Sequence, residues 1–262
     1  MSFETISITV DDRGVATLTL DRAEKHNSLS AKMIAELTDA AAQLGTDPRV
    51  RIVVLTGVGA SFCAGGDLGW MREQFEASRE TRMSEARKLA TMLKALNELP
   101  KPLIGRVQGQ AFGGGIGMMS VCDTVVSVDS AKFGLTEVRL GLIPATISPY
   151  VLARMGEGKA RRVFMSARIF GAEEARDLDL VARVVSEADL DEAIEREIKP
   201  YLSAAPVAVA ASKALARSLG PAITETVIED TIRRLADTWE TPDAREGISA
   251  FFEKRKPAWT VR

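Results

Sequence analysis

Apolar and polar residues alternate with period two in Ile6-Ser7-Ile8-Thr9-Val10 and in Val15-Ala16-Thr17-Leu18-Thr19-Leu20. With Asp11-Asp12-Arg13-Gly14 between them, these segments predict a β-hairpin. The period then changes. After Ser30, Met33, Leu37, Ala40, Ala41 and Leu44 recur at helical spacing until Gly45 and Pro48 end the pattern. Arg51 to Leu55 is mostly apolar and β-branched, as in a parallel strand buried on both faces. A second helical stripe runs from about Glu80 to Leu99 through Met83, Ala86, Leu89, Ala90, Leu93 and Leu96, stopped by Pro100 and Pro102. Leu103 to Val107 predicts a strand, Gly113-Gly114-Gly115 a turn, Ile116 to Val121 a helical stretch and Thr124 to Val128 another strand. This recurrence indicates an α/β fold with right-handed crossovers. From Leu190 the strand signals vanish. Ile228, Ile232, Leu235 and Trp239, then Ile248 and Phe252, keep helical spacing and predict helix as far as Arg262. The chain therefore divides near residue 190 into a core, 1–190, and a helical region, 191–262, whose apolar surface must pack on that core or on another subunit.

Composition narrows the chemistry by scarcity. Of 262 residues one is histidine, His26, and two are cysteines, Cys63 and Cys122. A multi-His or multi-Cys metal site is beyond that inventory, and a Ser-His-Asp or Cys-His arrangement would rest on His26 alone. Acid–base work falls mainly to the 36 carboxylates, or to a lysine or tyrosine with a shifted pKa. A net charge of −2, with Glu253-Lys254-Arg255-Lys256 the only short basic run, disfavours nucleic acid as a partner. No apolar stretch is long enough for a membrane span, Met1 to Val10 reads as a strand and not as an export signal, and the two cysteines look unpaired. A reducing, cytoplasmic setting is the expectation.

Two segments put glycines where strand gives way to helix: Cys63-Ala64-Gly65-Gly66-Asp67-Leu68 and Gly113-Gly114-Gly115-Ile116-Gly117. Glycine allows close backbone approach, and a helix start leaves N–H groups unpaired. Two such turns that converge can donate two amides to one carbonyl oxygen. Taken singly, each is more often just a tight connection. Neither matches G-x-G-x-x-G or a P-loop.

The first of these segments, extended to Ser61, resembles a signature block of the enoyl-CoA hydratase/isomerase (crotonase) superfamily, as do Val107 to Gly115 and Ala131 to Pro144. Lys25-His26-Asn27-Ser28-Leu29-Ser30 is similar to the family's N-terminal block and Glu246 to Pro257 to its C-terminal one, so the resemblance covers essentially the whole chain. It implies a spiral of repeated ββα units with a C-terminal helical trimerisation region, assembled as a homotrimer or as a homohexamer of two trimers. It implies an acyl-CoA thioester as substrate, with no metal or redox cofactor. By the same resemblance Gly66 and Gly114 donate the amides that hold the thioester oxygen, and Ala64 and Leu68 flank that site along the CoA arm. Asp67 falls in the same substrate-binding block, with fixing the loop its better-supported role. Lys25 corresponds to a CoA-binding position, and Phe251 and Lys254 to positions that reach a neighbouring subunit's CoA, the ring packing on adenine and the ammonium meeting the 3′-phosphate. Phe251 is equally readable as a core or interface aromatic. His26 is read as structural or at the adenine edge, and Cys63 and Cys122 as small core residues.

Hydratases of this family use two glutamates around one water. The second corresponds to Glu137, whereas the first position holds Gly117. On its own Glu137 reads as a surface partner of Arg139; with the resemblance it becomes the acid–base residue, its pKa raised by an apolar setting. Three readings stay open: hydration with Glu137 as the only carboxylate, double-bond isomerisation by Glu137, and acyl-CoA binding without turnover. Gly66 to Met71, Gly113 to Met119 and Thr136 to Tyr150 resemble the methylglutaconyl-CoA hydratases of leucine breakdown and the related isohexenylglutaconyl-CoA hydratases, which favours the first reading. Gly117 is then expected to make room for a branched, acidic acyl chain.

Overall fold

A computed structural model describes residues 3–261. The hairpin forms as β1 (Ile6–Val10) and β2 (Val15–Leu20), in antiparallel register Ile8↔Leu18. Helix α1 (Ala31–Thr46) starts where Ser30 accepts the Met33 N–H at 3.2 Å, and buries the predicted stripe. Strand β3 (Ile52–Gly57) is buried along its length and lies parallel to β2 and to β5 (Leu103–Val107). With β7 (Thr124–Val128) and β10 (Arg183–Val185) these strands make a six-stranded sheet in the order β1-β2-β3-β5-β7-β10.

A smaller sheet does more to build the site. β4 (Ser61–Cys63), β6 (Gln110–Phe112) and β8 (Lys132–Gly134) run parallel side by side, with the two-residue β9 (Phe170–Gly171) antiparallel at the edge. Their C-terminal ends lead into the first glycine turn, the second glycine turn and the Glu137 segment. Three stretches distant in sequence thus emerge at one sheet edge, the usual location of sites in parallel sheets. These strands are too short for a period-two signal to declare them.

The first turn enters α2 (Leu68–Glu76) and then α3 (Arg79–Glu98); the second enters α4 (Gly114–Val121). Beyond the Glu137 segment come α5 (Ser148–Phe164) and α6 (Ala172–Asp177). The last part is helical as expected: α7 (Leu190–Leu202), α8 (Pro206–Leu219), α9 (Glu225–Trp239) and α10 (Pro242–Phe252). Packing runs across residue 190, because Leu190, Ala193, Ile194 and Ile198 of α7 join the main core. Helix α9 lays Ile228 and Ile232 on Ala86 and Ala90 of α3, and Trp239, Ala244 and Ile248 close around Leu142.

The expectation of helix through to Arg262 is corrected over 253–261. Helix α10 ends at Phe252 because Lys254 turns left-handed (φ 55°) and the Arg255 N–H reaches back to the Ala250 carbonyl at 2.9 Å, a reversal that stops a helix. Arg255 then clamps Glu246 with two bonds of 2.6 and 2.8 Å. Met1, Ser2 and Arg262 lie outside the described residues. Among those described, no helix is long and apolar enough to cross a membrane.

Candidate active site

The two glycine turns and Glu137 line one cavity of about 470 Å³. Backbone bonds shape the first turn. The Leu29 N–H donates to the Gly65 carbonyl at 2.7 Å, and the Asp67 N–H donates to the Leu29 carbonyl at 3.0 Å, so the bridge skips the Gly66 N–H. The Ala64 N–H is held by the His26 carbonyl at 3.0 Å. The segment from His26 to Leu29 is therefore a brace for the first turn. Leu29 also abuts the second turn, since a Cβ on Gly114 would lie 2.6 Å from its Cδ1. Gly114 is the first residue of α4, and a first-turn N–H has no acceptor within the helix. Gly113, just before it, adopts φ 46°, ψ −112°, a backbone state that suits only glycine.

Glu137 opens a 3-10 turn (Glu137–Leu140) directly after β8. A Cβ on Gly113 would lie 2.9 Å from its Oε1, so the carboxyl group rests on the bare backbone of the second turn. The residue as a whole is partly exposed, yet Oε2 is sealed from solvent and has no hydrogen-bond partner among the described residues. Burial pushes the carboxyl up to about 7, only partly opposed by its own backbone N–H. An ion pair with Arg139, the bland alternative, is not formed; Arg139 is exposed. Helix α10 fixes the 3-10 turn from behind by backbone contact, with Gly247 against Leu140 and Gly141 against Asp243 and Ala244.

The other sequence-derived candidates separate. Ala64, Leu68 and Phe251 line the cavity, the last two half exposed at its mouth. Lys25, Asp67 and Lys254 are not in its wall. Lys25 is exposed in a short 3-10 turn, and Lys254 is exposed beyond α10. Asp67 caps α2, accepting from the Gly69 N–H at 2.8 Å, and pairs with Arg22 at 2.9 Å. Burial alone would raise its pKa, but Arg22 and the Trp70 and Gly69 N–H groups more than offset this and hold it low. His26 packs its Nδ1 3.0 Å from Ser61 Oγ, outside the cavity. Burial raises both cysteine thiols to about 12, as suits inert core residues.

Gly117 requires a correction. It faces no open space: a Cβ there would lie 2.5 Å from Ile147 Cγ2 and 3.0 Å from Ile147 Cβ. Ile147 fills the volume that the glycine was expected to free for substrate. Nor did the sequence reading pick out two polar cavity residues, Thr146 and Gln74. Thr146 is 4% exposed and Gln74 7%, and neither Thr146 Oγ1 nor Gln74 Oε1 has a partner among the described residues. The positive side chains in the wall are Arg82 and Arg139. Among the described residues no group of three or more His, Cys, Asp or Glu could hold a metal ion.

A cavity that holds one proton-poised carboxyl and is lined by two glycine turns suits proton transfer on an acyl thioester. Residues 11–262 match the enoyl-CoA hydratase/isomerase family, and the chain belongs to it. The crystal structure of an enoyl-CoA hydratase from Shewanella pealeana superposes with a TM-score of 0.81 at 38% identity, covering 98% of this chain and 96% of that one. The (E)-benzylidenesuccinyl-CoA hydratase of Thauera aromatica is 33% identical over 94% of this chain and 95% of its own. Human mitochondrial methylglutaconyl-CoA hydratase is 33% identical over 95% of this chain and 74% of its own length.

Proposed function

We propose that the protein is a hydro-lyase that adds water across the double bond of a branched 2-enoyl-CoA carrying a second carboxylate, with 3-methylglutaconyl-CoA to 3-hydroxy-3-methylglutaryl-CoA as the specific reaction. The observation that carries this reading is the buried Glu137 carboxyl, pushed up to about 7 and resting against Gly113 in the cavity that both glycine turns line. Gly66 and Gly114 N–H groups receive the thioester oxygen as it gains enolate charge, each worth about 3 kcal/mol in the transition state. Ionised Glu137 takes a proton from water and returns it to the α-carbon. The substrate class draws on the names of two relatives, each hydrating the CoA thioester of a dicarboxylic acid. Arg139, without an ion-pair partner among the described residues, supplies positive charge in a largely apolar cavity for such a group, whereas Arg82 is held by Glu240 and the Gln74 and Phe75 carbonyls. No resident cofactor enters the scheme, CoA being part of the substrate, and the assembly proposed is a homotrimer or homohexamer.

The test is a spectrophotometric panel of 3-methylglutaconyl-CoA, crotonyl-CoA and a 3-enoyl-CoA with wild type and Glu137→Gln. Hydration of the first substrate, falling at least about a hundredfold in the variant, is expected. Double-bond migration without water uptake would make the protein an isomerase, and binding without turnover an acyl-CoA carrier.

A further inference from the structure

We propose that the Thr146 hydroxyl is the second group that holds the attacking water, standing in for the carboxylate absent at Gly117. The inference rests on the hydratase reading and adds to it the partner that Glu137 needs. Three observations meet at this residue. Thr146 lines the Glu137 cavity, yet its Oγ1 is sealed from bulk solvent and has no partner among the described residues. Such an atom is costly to bury unless something in the cavity completes it. Its neighbour in the chain is Ile147, whose side chain occupies the space beside Gly117, so the hydroxyl belongs to the segment that displaces the missing group.

The backbone around it is also fixed. The Leu142 N–H bonds to the Glu137 carbonyl at 3.1 Å, and the Ala145 N–H bonds to the Ile143 carbonyl at 2.8 Å. Ser148 donates to the Ala145 carbonyl from both its N–H at 3.0 Å and its Oγ at 2.6 Å. Glu137 and Thr146 are therefore two ends of one braced loop. A water that donates one O–H to each directs a lone pair at the substrate.

In the step itself the water oxygen bonds to the β-carbon, and one water proton passes to the Glu137 carboxylate. The electrons of the Cα=Cβ bond shift to the thioester oxygen as an enolate, held by the Gly66 and Gly114 N–H groups. The Glu137 carboxyl then gives that same proton to the α-carbon. The second water proton stays on oxygen as the product hydroxyl, and it is this O–H that Thr146 Oγ1 accepts throughout.

The experiment compares Thr146→Val, which keeps shape and loses the hydroxyl, with Thr146→Ser, which keeps the hydroxyl and loses the methyl group. Hydration of 3-methylglutaconyl-CoA and crotonyl-CoA is followed by loss of enoyl absorbance, and folding by circular dichroism. The expected result is a kcat lower by at least about tenfold in Thr146→Val with KM within about threefold, and near-wild-type kcat in Thr146→Ser. A purely packing role gives the opposite order, with the valine variant active and the serine variant impaired, and overturns the proposal. So does a valine variant within twofold of wild type. Should valine prevent folding, Thr146→Ala against Thr146→Ser carries the same comparison. Wild-type protein that hydrates no member of the panel overturns the hydratase reading itself, a result read before any Thr146 variant is assayed.

Discussion

Replacing Gly117 by alanine tests whether Ile147 closes the space of the second carboxylate. The new Cβ would sit 2.5 Å from Ile147 Cγ2, against 3.4–4 Å for an ordinary contact, so roughly an ångström of overlap must be absorbed. Ile147 is 3% exposed and cannot swing into solvent, and Leu93 Cδ1, 3.7 Å from the same point, limits movement on that side. Overpacking of this kind costs about 1–3 kcal/mol. Exchanging a helical glycine for alanine returns up to about 1 kcal/mol, which leaves a net loss of about 0–3 kcal/mol. Ile147→Ala alone should cost about 2–5 kcal/mol by opening a cavity. In the double variant the clash with Cγ2 is gone and the new methyl group partly fills the void. The pair should then be less destabilised than the sum of the singles by about 1–2 kcal/mol. Urea unfolding of the four proteins at one fixed concentration measures this coupling. Additivity within about 0.5 kcal/mol would refute the packing argument.

Two further outcomes follow from the same geometry. Gly113→Ala would place a Cβ 2.9 Å from Glu137 Oε1 on a backbone of φ 46°, so it should displace the carboxyl and lower kcat at least about tenfold, measured by steady-state hydration. Glu137→Gln should stabilise the protein at alkaline pH: a carboxyl raised from 4.5 to about 7 favours the fold below pH 4.5 and loses that advantage as pH rises through 7. The variant's gain in unfolding free energy, up to about 3 kcal/mol at pH 8–9 relative to pH 4, is read by denaturant titration across pH, and a pH-independent difference would contradict the burial of Glu137.

What was legible in the sequence had local causes. The β1–β2 hairpin, α1, α3 and the parallel strands β3, β5 and β7 declare themselves because each repeats its burial pattern over five residues or more. Glu137 and both glycine turns were readable because short motifs carry their backbone requirements with them. Ile147 in the Gly117 space was not, because thirty residues separate the two and only packing brings them together. The same holds for Thr146 and Gln74, each of which looks like any polar residue until a cavity closes around it. Lys25 and Lys254 are exposed and outside the cavity wall, and motif position alone assigns them to CoA, Lys254 to that of a neighbouring subunit.

The closed space beside Gly117 changes what a second carboxylate must be thought to do. In a hydration where the acid returns the proton that the base removed, one carboxyl balances every atom. In the hydration proposed here, a Glu137 carboxyl pushed up to about 7 by burial would be ionised often enough to start the reaction and, once protonated, acidic enough to finish it. A second carboxylate in such a site is therefore needed for orientation and not for protons, and orientation can come from a neutral group. A neutral group also has an advantage here. A second buried anion would raise the pKa of Glu137 further and repel an acidic acyl chain, whereas a hydroxyl does neither. Filling the Gly117 space with a hydrocarbon side chain and leaving a hydroxyl next to it is thus compatible with hydration of a substrate that brings its own negative charge.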